Sequence, residues 1–243
     1  LDVTYNAAYL DRTIDGHLDY ADYGFFYDSV LNYGSYFVDN ANNPISPAQF
    51  IKARDGYSKI STALRFASPA EDRFRFVAGL FYQRQIHDIY QRYQVKDLND
   101  AFEIPGLPDT IWLTSQKRID IDKAIFGELS YDLTDKLTAT GGLRLFKTEN
   151  SLEGFFGFGA GFGSTGQAIC LLPAPLPPGV SVVPMTKDAP CTDLNKLTEE
   201  EGETHKLSLS YKIDADRMIY ATYSTGFRPG GVNRKGSLAR YTS

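Results

Sequence analysis

Few residues in this chain have the type and spacing that chemistry requires. GFGSTG at 161–166 satisfies G-x-G-x-x-G. A dinucleotide site of that form needs a buried strand before it, a helix after it whose amides hold the pyrophosphate, and an acidic residue about 20 positions on. QAICLLPAPLPPG follows instead, and its prolines forbid a helix. Asp188 and Asp193 stand near the right distance without that context. The glycines of GFFGFGAGFGSTG suit a mobile outer loop. Cys170 and Cys191 have no metal-ligand spacing and no nearby histidine. His17, His87 and His205 are far apart, and neither H-E-x-x-H nor G-x-S-x-G occurs. No catalytic residue, cofactor or metal site is expected, and the chain does not read as an enzyme. DGHLDYADYGFFYDS (15–29) is acidic and aromatic and suits a cation or a stacked sugar, although such loops are usually just solvated. Four charges remain, Glu128, Arg144, Lys206 and Arg228, and their interest is their phase.

The elements that place those charges alternate. In AIFGELSYDLTDKLTATGGLRLF (124–146), Ile125, Gly127, Leu129, Tyr131 and Leu133 point one way and Phe126, Glu128, Ser130 and Asp132 the other. After Thr134-Asp135-Lys136 the pattern resumes as Leu137, Ala139, Gly141, Leu143 and Leu145, opposed by Thr138, Thr140, Gly142 and Arg144. A period of two is the strand period, and a short polar connection makes an antiparallel hairpin. Seven such segments run at about 1–10, 57–67, 73–93, 114–133, 137–149, 204–213 and 218–229. Apolar side chains keep one parity and charges mostly keep the other. Lys123 breaks the rule, ten residues from the turn.

A soluble sheet buries such an apolar face, whereas a membrane barrel turns it to lipid and keeps the polar face for its lumen. Connections decide between these. SPAED, TDK and DADR are tight and polar, while those at roughly 11–56, 94–113 and 150–203 are long. Strict short–long alternation is the habit of outer-membrane barrels, whose short turns all lie on one side. Two segments run to about 20 residues against the 5–6 usual in globular proteins. Seven strands are odd in number and cannot close by antiparallel pairing, so two open edges are expected. The fold class is therefore all-β, an antiparallel up-and-down meander forming part of a transmembrane barrel.

Composition agrees. No apolar run has the 18 or more residues of a spanning helix. Aromatics make up 14%, with 16 Tyr and 16 Phe, as suits interfacial girdles. A net charge of −5 without a basic stripe argues against a nucleic-acid partner. The chain opens on LDVTYNAAYL, already alternating and without an initiator Met, and reads as a piece of something longer.

YATYSTGFRPGGVN (220–233) resembles the strand-to-loop signature of TonB-dependent outer-membrane receptors. AIFGELSYDLTDKLTATGGLRLF and SPAEDRFRFVAGLFYQRQ (68–85) are similar to hairpins of that family. The resemblance covers about 57–233 outside the loops. It implies a 22-stranded barrel in the outer membrane, filled by an N-terminal plug and importing a scarce ligand such as a siderophore, cobalamin, a sugar or an aromatic compound. Energy would come from the inner-membrane protein TonB. Residues 1–243 would be an internal section of the barrel domain, without plug or closing strands. A passive outer-membrane channel and a soluble all-β binding module are the alternatives. On the barrel reading, Glu128, Arg144, Lys206 and Arg228 face the lumen, against plug or solute or simply paired and hydrated. Leu129, Tyr131, Leu143, Leu207, Leu209 and Tyr223 face lipid. In an oxidising envelope Cys170 and Cys191 are expected to bond, closing an outer loop of about 20 residues worth roughly 3 kcal/mol.

Overall fold

Long alternating runs become long strands. The computed structural model describes residues 1–31, 37–158, 183–186, 189–192 and 194–232. Among these, β1 (Asp2–Asp19), helix α1 (Ala21–Leu31), β2 (Gln49–Ala67), β3 (Phe74–Val95), β4 (Thr110–Asp132) and β5 (Leu137–Phe158) come first. A small hairpin of β6 (Val183–Thr186) and β7 (Ala189–Thr192) follows, then β8 (Leu194–Lys212) and β9 (Met218–Ser224). Seven strands form one antiparallel sheet in the order β1-β2-β3-β4-β5-β8-β9, and β6 pairs with β7 separately. The meander is an open section of a barrel with β1 and β9 at its edges, as the odd strand count requires.

The register carries the two faces across the sheet without a slip in its lower part. Val3 lies opposite Phe66, Phe66 opposite Ala78, Ala78 opposite Gly127, Gly127 opposite Leu143 and Leu143 opposite His205. Neighbours in such a row share a face. The adjacent row, Val77, Glu128, Gly142, Lys206 and Ser224, occupies the other.

The short turns are fixed by local side chains. Thr134 Oγ1 accepts hydrogen bonds from the amides of Lys136 and Leu137 at 3.2 and 3.0 Å. Asp214 accepts from the Asp216 amide at 3.1 Å and from Arg217 Nε at 2.7 Å. Ser68 Oγ accepts the Phe76 amide at 3.0 Å. These are turns in which hydroxyl or carboxylate replaces a backbone acceptor.

At the opposite end the strands run further than their alternation indicated. β2 starts at Gln49 rather than near 57, and β8 at Leu194 rather than near 204. There the register shifts: Trp112 faces Tyr93, Thr110 faces Gln94, and Ile111 is the extra residue of a bulge. Two small cores form around it. Ile104, Leu113, Phe155 and Ala189 make one; Phe37, Val95, Leu98 and Ile111 make the other. The first two long connections interlock: Asn99 Nδ2 donates to Asp39 O at 2.9 Å, and Asn40 Nδ2 donates to Asp100 Oδ1 at 3.0 Å. Part of the acidic, aromatic stretch 15–29 is α1, not an irregular loop. GFGSTG at 161–166 lies outside the described residues.

Candidate functional site

Charges at every second position of adjacent strands meet on one face, and the register decides which can touch. Glu128 on β4 and Lys206 on β8 stand in one row on either side of Gly142 on β5. Lys206 Nζ donates to Glu128 Oε2 at 3.0 Å, across the intervening strand. A Cβ on Gly142 would sit 3.4 Å from that carboxylate oxygen, so the glycine leaves the bridge its lane. Both side chains are more than a third exposed, and an ion pair so hydrated stabilises by about 1 kcal/mol or less.

Arg144 is one step higher on the same face. It donates to both Asp122 oxygens, at 3.0 and 3.2 Å, and its guanidinium lies 5.4 Å from the centre of the Phe81 ring. Next to the turns, Arg75 grips Asp132 with two bonds of 2.6 and 2.7 Å, and Thr138 Oγ1 donates to the same carboxylate at 2.6 Å. A planar fork on a carboxylate is the strongest ion-pair geometry. Ser130 with Thr140 and Ser208 with Thr222 complete the face, each pair 2.9 Å apart. His87 Nε2 comes within 3.7 Å of Asp55 Oδ1 further up. Such a wall is polar, hydrated and largely self-neutralised. It can guide a solute or seat a domain.

Three of the four charges singled out in the sequence therefore share this face. Arg228 does not stand on a strand: β9 ends at Ser224, and Arg228 follows in a segment that leaves the sheet. Cys170 and the Cys191 side chain fall outside the described residues, and so does their pairing. The partners Asp122, Asp132 and Arg75 were not singled out, although the alternation puts Asp132 on the face of Glu128 and the same spacing puts Asp122 there. Among the described residues no cluster of His, Cys, Asp and Glu has the form of a metal site. None of the described helices is long and apolar enough to cross a membrane.

On the other face Leu129, Tyr131, Leu143, Leu207, Leu209 and Tyr223 are all exposed. This apolar band ends at a charged border. Lys123 Nζ reaches Glu149 Oε1 at 2.9 Å, and Lys147 Nζ reaches Glu199 at 3.4 Å and Glu201 at 3.1 Å. Lys123, the exception to parity, thus belongs to that border. Above it, in the connection between β3 and β4, burial raises the Glu103 carboxyl above the ordinary range, and the Asp109 amide donating to it partly offsets that.

The family described as "TonB dependent receptor-like, beta-barrel" matches residues 1–241. The chain belongs to the TonB-dependent receptor β-barrel family. The ferric yersiniabactin uptake receptor FyuA from Yersinia pestis is similar in structure, with a TM-score of 0.52 at 15% identity over 76% of this chain. At that identity the likeness speaks for the barrel fold. The chain spans 23% of the length of FyuA. No curated protein matches it in sequence. TonB-dependent receptor barrels are outer-membrane proteins, and both the family and this neighbour are receptors, not enzymes.

Proposed function

We propose that residues 1–243 are an internal section of the barrel domain of an outer-membrane receptor that imports a scarce ligand with TonB-coupled energy. The ligand is of the siderophore, cobalamin, sugar or aromatic class. The receptor's own plug and the small-molecule ligand are the partners of the polar face, which is the lumen wall lined by Glu128, Arg144 and Lys206. Outer-membrane lipid is the partner of the apolar face. TonB acts through an N-terminal region beyond this section, and no cofactor takes part. Cys170 and Cys191 close an outer loop by a disulfide, and thiol labelling of the denatured, unreduced protein should find neither free.

One observation carries the reading: an exposed apolar band, in phase across seven strands, gives way to a charged row on β4, β5 and β8. At about 3.3 Å per residue, the ten steps from Leu133 to Lys123 span roughly 33 Å. With a tilt of about 40° that leaves some 25 Å of height, the thickness of a lipid-facing band. A soluble sheet would have covered these side chains. Leu143→Arg beside Thr140→Arg in the full-length receptor tests it. Arginine on the lipid side near the midplane costs about 2–4 kcal/mol, so Leu143→Arg should sharply reduce outer-membrane assembly while Thr140→Arg is mild. Equal and mild outcomes would mean that the apolar face does not meet lipid.

A further inference from the structure

The segment that follows β9 does not climb beside β8 as the other strands do with their neighbours. The Thr225 amide donates to His205 O at 2.9 Å and its hydroxyl accepts the His205 amide at 2.8 Å. From there the chain turns over the polar face. The Phe227 ring lies on Phe146 with centroids 3.7 Å apart. The Gly230 amide donates to Glu200 Oε2 at 2.7 Å, and the Val232 amide donates to Asn150 Oδ1 at 2.9 Å. Val232 is only 5% exposed. Phe146, Asn150 and Glu200 all have the parity of Arg144 and Lys206, so every anchor is on the polar face. The support continues underneath: Asn150 Nδ2 donates to Asp120, whose other oxygen accepts from Gln85 at 3.4 Å. The segment therefore crosses from β8 to β5 on a hydrogen-bonded floor.

Its anchors face the wall, but Arg228, between Phe227 and Gly230, is exposed and among the described residues has no ion pair or hydrogen bond. The wall charges beneath are matched, Glu128 with Lys206 and Arg144 with Asp122. We infer that Thr225–Val232 is a shelf inside the barrel that narrows its passage, and that Arg228 is the uncompensated cation it presents, selecting for anionic solutes at that level. This rests on the polar face being the lumen side. An arginine is suited to carboxylate or phosphate groups because its planar fork stays charged and bonds them in pairs.

Gly226 provides the reporter position, since a Cβ there meets nothing within 4 Å and the residue is exposed. In the full-length receptor on intact cells, with Cys170 and Cys191 replaced by serine, Gly226→Cys is compared with Lys96→Cys in the connection between β3 and β4. Lys96→Cys should react with a 5-kDa polyethylene glycol maleimide. Gly226→Cys should react with small methanethiosulfonates and not with that polymer. An anionic sulfonate reagent should outpace a cationic trimethylammonium reagent at Gly226→Cys, and Arg228→Gln should lower that ratio roughly fivefold, as expected for one nearby unit charge in a hydrated site. If Gly226→Cys impairs assembly, Arg228→Cys repeats the size comparison. Polymer labelling equal to that of Lys96→Cys would overturn the shelf. An unchanged reagent ratio in Arg228→Gln would overturn its charge selection. Failure of Lys96→Cys to label on cells that label after lysis would instead count against the outer-membrane reading itself.

Discussion

Between the turns and Lys123 the sheet is a bare wall. Leu129 and Leu143 stand free on one face, and the charges on the other pair with one another. Beyond Lys147 the same strands behave like a small globular protein. Leu113, Leu152 and Phe155 are fully buried, and loops pack on both sides. Phe155 has the parity of Leu143, on the same strand and the same face, yet it is 1% exposed where Leu143 is 47%. The lower half is shaped by two uniform surroundings, one per face. In the upper half, side chains answer to particular loop residues.

The sharpest way to break this comparison is to truncate that pair. Phe155→Ala should cost about 3–5 kcal/mol in local stability, because it empties a packed core. Leu143→Ala, which removes three carbons from an exposed side chain of the apolar face, should cost about 2 kcal/mol, the transfer value of those carbons with no cavity left behind. Amide exchange along β5 reads both, and equal costs would erase the distinction. Gly154 is next. Its φ is +138°, and a Cβ would lie 2.1 Å from Ser115 O, so Gly154→Ala should cost on the order of 1–3 kcal/mol and loosen the bulged upper sheet while leaving the lower hairpins protected. In the lower half, a double-mutant cycle with Glu128→Gln and Lys206→Met should give a coupling of only about 0.2–1 kcal/mol. A coupling well above that would mean the polar face is drier than its exposure indicates.

The smallest effect is a pH dependence confined to the upper half. The folded pKa of Glu103 is raised, chiefly by burial. A carboxyl raised on folding binds its proton more readily when folded, so docking of residues 101–109 weakens as pH rises from the ordinary carboxylate value through the raised one. Amide exchange in that connection should be slower at the acidic end of the window, and Glu103→Gln should flatten the dependence. An unchanged slope in Glu103→Gln would assign it to another group.

The comparison also says what the sequence could disclose. Period two was readable from 124 to 146 because each face there meets one kind of surrounding, and Glu128, Arg144 and Lys206 fell on one face for that reason. The first half of β2 was not readable: Gln49 and Ile51 are both buried, as is Ile89 opposite Asp55, so polarity no longer marks the face. α1 was hidden because its short aromatic stretch has no period of its own strong enough to stand out. Arg228 was placed on a strand because alternation continues through Tyr223. What ends β9 is the docking of Phe227, Gly230 and Val232 on distant residues, which no local pattern encodes.

The central claim is that one parity of this sheet faces lipid and the other a wet lumen. A nitroxide scan of residues 137–147 in the full-length receptor in lipid tests it most directly, through collision with oxygen, which partitions into bilayers, and with a polar nickel chelate, which does not. The account predicts a period of two: oxygen contact high at 139, 141, 143 and 145, nickel contact high at 138, 140, 142 and 144, and a loss of the oxygen peak at Lys147. Oxygen and nickel maxima at the same residues, or no period at all, would contradict it.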